Sequence, residues 1–219
     1  MRLSIVAAFL LAQGAWASTI VTSLSGGTSG SEDGLQVVSW TETDSYTDVT
    51  IGANIAVDNG NPSEEATGTA YLMMKIGAGT TMAEEVASAP VSVKGNPGVD
   101  SMTTIFSGLS LGPGTYYLVI DPTSVNMINS LDWDSAGTPT QTFGTGASDV
   151  TAFTATTTNA AFPPSNTFGS NKLTPIFSVT GDLGVITSPT PEPSTTIFLA
   201  CGLAALAVAH KFVKRRSRS

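Results

Sequence analysis

Between residues 35 and 182 the chain alternates short apolar runs with Gly, Pro, Asn and Asp, and the period of that alternation is two. Val49, Ile51, Ala53, Ile55 and Val57 are separated by single polar or small residues, which predicts one half-buried strand ended by Asp58-Asn59-Gly60-Asn61-Pro62. Thr69–Ile76 carries Tyr71, Leu72, Met73, Met74 and Ile76 almost without interruption, the pattern of a central strand covered on both faces. Ala89–Val93, Ser101–Phe106 and Thr115–Ile120 read as further strands, the last two joined by a loop over Ser107–Gly114. Thr80–Ala87 has the composition of a single helical turn. Residues 121–170 are rich in Thr, Asn, Gly and Pro and predict long loops with one or two short strands, after which Lys172–Thr180 closes the sheet. The Gly/Ser-rich stretch 24–34 predicts a flexible lead-in over 18–34, with order beginning at Leu35. Many short strands without long helices point to an all-β, antiparallel β-sandwich of jelly-roll-like form. A parallel α/β fold would lack its helices.

The two ends break this pattern. Arg2, the apolar Leu3–Ala12 and the small residues of Ala15-Trp16-Ala17 predict a signal peptide over 1–17 cleaved before Ser18. The alternative is an uncleaved anchor, for which the apolar run is short. At the other end a Thr/Ser/Pro linker over 183–190 leads to Pro191, Glu192 and Pro193, then to an apolar segment and the cations Lys211, Lys214, Arg215, Arg216 and Arg218. The two prolines hold the backbone extended and open to an enzyme. Thr195–Val213 is nineteen residues, a transmembrane helix of ~28 Å against a hydrocarbon core of ~30 Å. The basic cluster would stay cytoplasmic, leaving everything before Pro191 outside.

This order of motif, helix and basic tail over residues 191–219 resembles the PEP-CTERM sorting signal of exported bacterial proteins. The resemblance implies an exosortase, a membrane-embedded thiol transpeptidase-like enzyme, as processing partner, with Pro191-Glu192-Pro193 as its recognition motif. It also implies a place at the cell surface or in an extracellular matrix, in contact with exopolysaccharide. Thr190 departs from the Val often found before the motif. A tail anchor that is never cut is the alternative. The phrase Gly108–Leu118, Gly-Leu-Ser-Leu-Gly-Pro-Gly-Thr-Tyr-Tyr-Leu, resembles one that recurs in the β-sandwich bodies of such anchored proteins, and alternation sends Tyr116 and Tyr117 to opposite faces.

Charge and residue usage then narrow the chemistry of the body. Residues 18–190 hold three cations, Lys75, Lys94 and Lys172, against sixteen acids, a net charge of −13. That excludes a nucleic-acid surface. The lone Cys201 and lone His210 both lie in the tail, so the body can build neither a disulfide, nor a Cys–His or Ser–His–Asp nucleophile, nor a His- or Cys-ligated zinc site. No cofactor is expected.

Carboxylates remain for catalysis, and Glu64, Glu65, Glu84, Glu85, Asp132 and Asp134 form the pool from which a glycosidase pair would be drawn. Their spacing selects no pair. Asp58-Asn59-Gly60-Asn61 and Asp132-Trp133-Asp134 are the local groupings that calcium would use, yet neither fits a known calcium loop, and no metal ligand is assigned. Trp40 and Trp133 are the candidates for stacking on a sugar, Trp133 with an acid on either side, and the competing expectation places both in the core. Met73, Met74, Met102 and Met127 are expected to fill core space. The chain thus reads as a non-enzymatic exported protein. A carbohydrate-binding or adhesive module and a carboxylate-based glycoside hydrolase are the alternatives.

Overall fold

A computed structural model of the chain describes residues 17–24, 29–30, 35–57, 65–94, 102–123, 131–155 and 167–184. The first strands are β1 (Ser18–Leu24), β2 (Ser29–Gly30), β3 (Leu35–Glu42), β4 (Tyr46–Ala53), β5 (Ile55–Val57) and β6 (Glu65–Met73). They are followed by β7 (Glu85–Lys94), β8 (Thr103–Leu111), β9 (Gly114–Pro122), β10 (Leu131–Trp133) and β11 (Ser135–Ala136). The series ends with β12 (Thr140–Phe143), β13 (Ala147–Ala155), β14 (Gly169–Ser170), β15 (Thr174–Pro175) and β16 (Phe177–Leu183). The strands form a five-stranded sheet in the order β12-β1-β16-β4-β8 and a six-stranded sheet in the order β14-β13-β3-β9-β6-β7. A two-stranded β10-β5 ribbon and a three-stranded β15-β11-β2 sheet complete the set. Their pairings are antiparallel, so the described fold is all-β.

Alternation decides what each sheet turns inward. Val38 and Trp40 of β3, Tyr116, Leu118 and Ile120 of β9, and Ala70 and Leu72 of β6 share one core with Ile20, Val21, Val49, Ile51, Phe177 and Val179 of the five-stranded sheet. The Trp40 ring lies 5.9 Å from Tyr116 on its own sheet and 5.8 Å from Phe177 on the other, so one indole couples the two layers. Burying each such side chain contributes about 1.5–3 kcal/mol.

Three strands break at one level. Asn54 separates β4 from β5, Asp134 separates β10 from β11, and Ile176 separates β15 from β16. Their main chains close a ring: Asn54 N–H donates to the Ile176 carbonyl at 3.0 Å, Ile176 N–H to the Asp134 carbonyl at 2.8 Å, and Asp134 N–H to the Asn54 carbonyl at 3.0 Å. The Trp133 indole N–H also donates to the Ile176 carbonyl, at 2.9 Å. The single strand expected over residues 49–57 is therefore two, with β4 in the five-stranded sheet and β5 paired to β10. Alternation continues through the break, which is why the break is silent in the sequence.

Other expectations are corrected in the same way. The flexible lead-in over 18–34 contains β1, which lies between β12 and β16 and buries Ile20 and Val21 completely. Its apolar core is only two residues long, too short to stand out in a Ser/Thr-rich setting. The loop expected over Ser107–Gly114 is largely strand, because β8 runs to Leu111 and the turn is confined to Gly112 and Pro113. Residues 121–170 hold β10 to β14 and not merely one or two strands, the nine-residue β13 pairing along β3. The helical turn contracts to a 3-10 turn at Met82–Glu84, capped by Thr81 and Glu84, since Glu85 already pairs with Met73. Met73 is buried, whereas Met74 is half exposed, and Met127 lies outside the described residues.

Close backbone approach supplies a direct test. A Cβ at Gly144 would lie 2.1 Å from the Thr19 carbonyl oxygen, while one at Gly112 would meet nothing within 4 Å. Gly144→Ala is expected to lower stability by about 2 kcal/mol through the forced displacement of β1, and Gly112→Ala to change it little, as read by urea denaturation.

Candidate functional site

The inward phase of β3 runs Val38, Trp40, Glu42, so a carboxyl occupies a core position at the end of the strand. Glu42 is 1 % exposed and faces Gly114 of β9 and Ala147 of β13, neither of which fills the space with a large side chain. Its Oε1 accepts a hydrogen bond of 2.5 Å from the Trp40 indole N–H. Its Oε2 is buried without a hydrogen-bond partner among the described residues.

Two tyrosines flank this carboxyl and are themselves held. The Tyr46 hydroxyl donates to the Thr145 carbonyl, and the Tyr116 hydroxyl donates to the Gly112 carbonyl at 2.8 Å. Burial pushes the Glu42 carboxyl up to about 7, against the smaller opposite pull of the Trp40 hydrogen bond. Burial likewise raises both tyrosines, reinforced at Tyr46 by Asp44 and then Glu42, and at Tyr116 by Glu42. The arrangement lets Glu42 keep its proton well above the usual carboxylate range, up to about pH 7. Both tyrosine hydroxyls are committed to main-chain carbonyls, and no group of three or more His, Cys, Asp or Glu suited to a metal occurs among the described residues.

The residues singled out from the sequence fall elsewhere. Trp40 and Trp133 are 0 % and 1 % exposed, so neither can stack on a sugar: Trp40 joins the two layers and Trp133 secures the strand-break ring. All three residues of β10 are buried, which takes Asp132 inside with Trp133, and Asp134 is raised by burial. Glu65 receives a hydrogen bond from Ser92 and pairs with Lys94 at 3.5 Å, which together hold it below the usual carboxylate range. Glu84 is lowered chiefly by Thr81, with which it forms the cap of the 3-10 turn. Glu85 opens β7. Glu64 and Asp58-Asn59-Gly60-Asn61 lie outside the described residues, as do Ala15, the sorting motif Pro191-Glu192-Pro193 and the basic tail.

A second feature was also missed. On the outer face of the six-stranded sheet the half-buried rings of Tyr71, Tyr117, Phe153 and Phe168 surround the buried Val37, Met73 and Val119. Asp121, beside them on β9, is pushed up to about 6 by burial. The rings come from three strands and a connecting segment, so no local motif announces them. Glu42 did leave a signal, since it continues the alternation that Val38 and Trp40 begin.

No helix among the described residues is long and apolar enough to cross a membrane, and the segment 195–213 lies outside them. No protein-family model, curated protein or solved structure matches the chain.

The buried carboxyl makes stability depend on pH. An acid whose folded pKa is near 7 and whose unfolded pKa is near 4.5 holds its proton longer in the folded state. Its contribution is therefore complete below pH 4.5 and is lost between pH 4.5 and 7, by up to ~3 kcal/mol. Melting temperature is expected to fall across this window in the native protein, and Glu42→Gln, which cannot ionise, is expected to flatten that fall.

Proposed function

We propose that the chain is an exported, non-enzymatic cell-surface or extracellular-matrix protein, sorted through its C-terminal segment and processed near Pro191–Pro193 by an exosortase. The observation that carries this reading is the division of the chain at Gly184. Strand β16 ends at Leu183, and Gly184 N–H donates to the Ser45 carbonyl at 2.7 Å, tying the end of the strand back to the body. The described body thus closes at Gly184, seven residues before Pro191, where the sorting motif of the sequence begins. The transmembrane helix over about 195–213, with its cytoplasmic basic tail, belongs to this proposal, as does the jelly-roll-like character of the double sheet.

Two further observations support it. Strand β1 begins at Ser18, whose hydroxyl donates to the Gly181 carbonyl at 3.0 Å, so a signal removed after Ala17 would leave the first paired residue at the mature terminus. Of the acids named from the sequence, Glu84 caps a turn, Glu65 pairs with Lys94 and Asp132 is buried, which favours a structural role for these three over a catalytic one.

A carbohydrate-binding or adhesive role is the second reading. The specific observation that favours it is the outer ring group of Tyr71, Tyr117, Phe153 and Phe168 beside Asp121, since half-buried aromatic faces next to a carboxyl suit a sugar ring. Trp40 and Trp133 take no part in it.

The sorting proposal is tested by following mass and cell fraction in hosts with and without an exosortase. Glu192→Ala is expected to leave full-length protein in the membrane fraction of the exosortase-bearing host. Normal release of Glu192→Ala would overturn the assignment.

A further inference from the structure

Among the described residues the two large sheets end in four edge strands, and three of them are guarded. Strand β7 carries Pro90 in its middle and the Lys94–Glu65 ion pair at its end. Strand β8 has three register shifts against β4 and a left-handed Gly108, and β14 is two residues long. Such features discourage a further strand from pairing. Strand β12 has none of them: its four residues are all exposed, uncharged, and in unbroken register with β1.

The register also shows which main-chain groups of β12 are open. Gly144 N–H bonds to the Ile20 carbonyl, so Ile20 and Gly144 are a hydrogen-bonded pair. The alternation of an antiparallel ladder then makes Thr22 with Thr142, and Leu24 with Thr140, the next such pairs. Gln141 and Phe143 therefore aim their N–H and C=O groups away from β1, toward the open edge. The Phe143 ring, on the core side of the sheet, is 41 % exposed.

We infer that β12 is a self-association edge, at which two copies of the chain pair antiparallel about a twofold axis through Thr142. In this register Gln141 of each copy bonds to Phe143 of the other in both directions, giving four main-chain hydrogen bonds and covering each Phe143 ring with the opposing Gln141 stem. Centring on Gln141 instead would oppose Phe143 to Pro139, which has no N–H to give. Centring on Phe143 would require Thr145, which is already in the turn. Charge selects the occupant. Residues 135–148 contain no charged side chain and neither does β1, whereas the body as a whole carries −13, so this edge lets two acidic copies meet without opposing carboxylates. The two five-stranded sheets become one continuous sheet across the axis.

The test uses the full-length chain in detergent with Cys201→Ser, which removes its only thiol. Thr142→Cys places the new thiol opposite its own copy in a non-hydrogen-bonded pair, where Cβ atoms approach to about 4.5 Å. Thr104→Cys, exposed on the β8 edge of the same sheet, controls for chance encounter. Mild oxidation is expected to convert most of the Thr142→Cys chain to a band of twice the mass and little of the Thr104→Cys chain. Adding Gln141→Lys and Phe143→Lys is expected to reduce that band at least tenfold. Absence of the band, equal cross-linking at both edges, a band of any other mass, or insensitivity to the two lysines would overturn the inference.

Discussion

The ring of three main-chain hydrogen bonds among Asn54, Asp134 and Ile176 is the constraint from which the arrangement of the sheets follows. At this level three chains leave one partner and take another, so β4 and β16 lie together in the five-stranded sheet while β5, β10, β11 and β15 form the smaller ribbons. A break in a buried strand strands its polar backbone groups, at a cost of about 1–3 kcal/mol for each one left unpaired. Here each break satisfies the next. Trp133 adds its indole N–H to the same carbonyl of Ile176, and this use of its one polar atom takes the ring into the interior.

The second dependence is the contact of the two inner faces. Trp40 touches Tyr116 on its own sheet and Phe177 on the other, and its N–H is then left to find an acceptor within the core. Glu42 is that acceptor. The large ring that couples the layers thus brings a carboxyl inside with it, and the raised proton affinity of Glu42 is a consequence of packing before it is anything else. The same competition between area and polarity appears on the outer face, where Tyr71 and Tyr117 cover apolar residues and leave Asp121 partly desolvated beside them.

A domain without disulfides must obtain its stability from burial and hydrogen bonding, and residues 18–190 contain no cysteine. Its double layer supplies the burial. The net charge of −13 on residues 18–190 favours solubility, and the β12 edge proposed for association carries none of it.

Composition, the period of two and the two unusual termini were enough to read an antiparallel all-β body and to name its chemical poverty, because alternation and residue type are local properties. Tyr116 and Tyr117 on opposite faces followed from that period, and burial of both Leu72 and Met73 from the unbroken apolar run around them. What the period does not contain is the identity of the neighbour. It shows Val49 through Val57 as one strand, since the side chains keep their phase across Asn54 while the backbone changes partner. It favours the core for Trp40 and Trp133 without saying what they pack against, and it hides β1, whose Ser/Thr-rich residues pair with β12 and β16 from far along the chain. Burial of Glu42, the gathering of four outer rings and the openness of β12 are relations between distant segments. They were decided by tertiary structure, because desolvation and pairing depend on what packs alongside a residue and not on what precedes it.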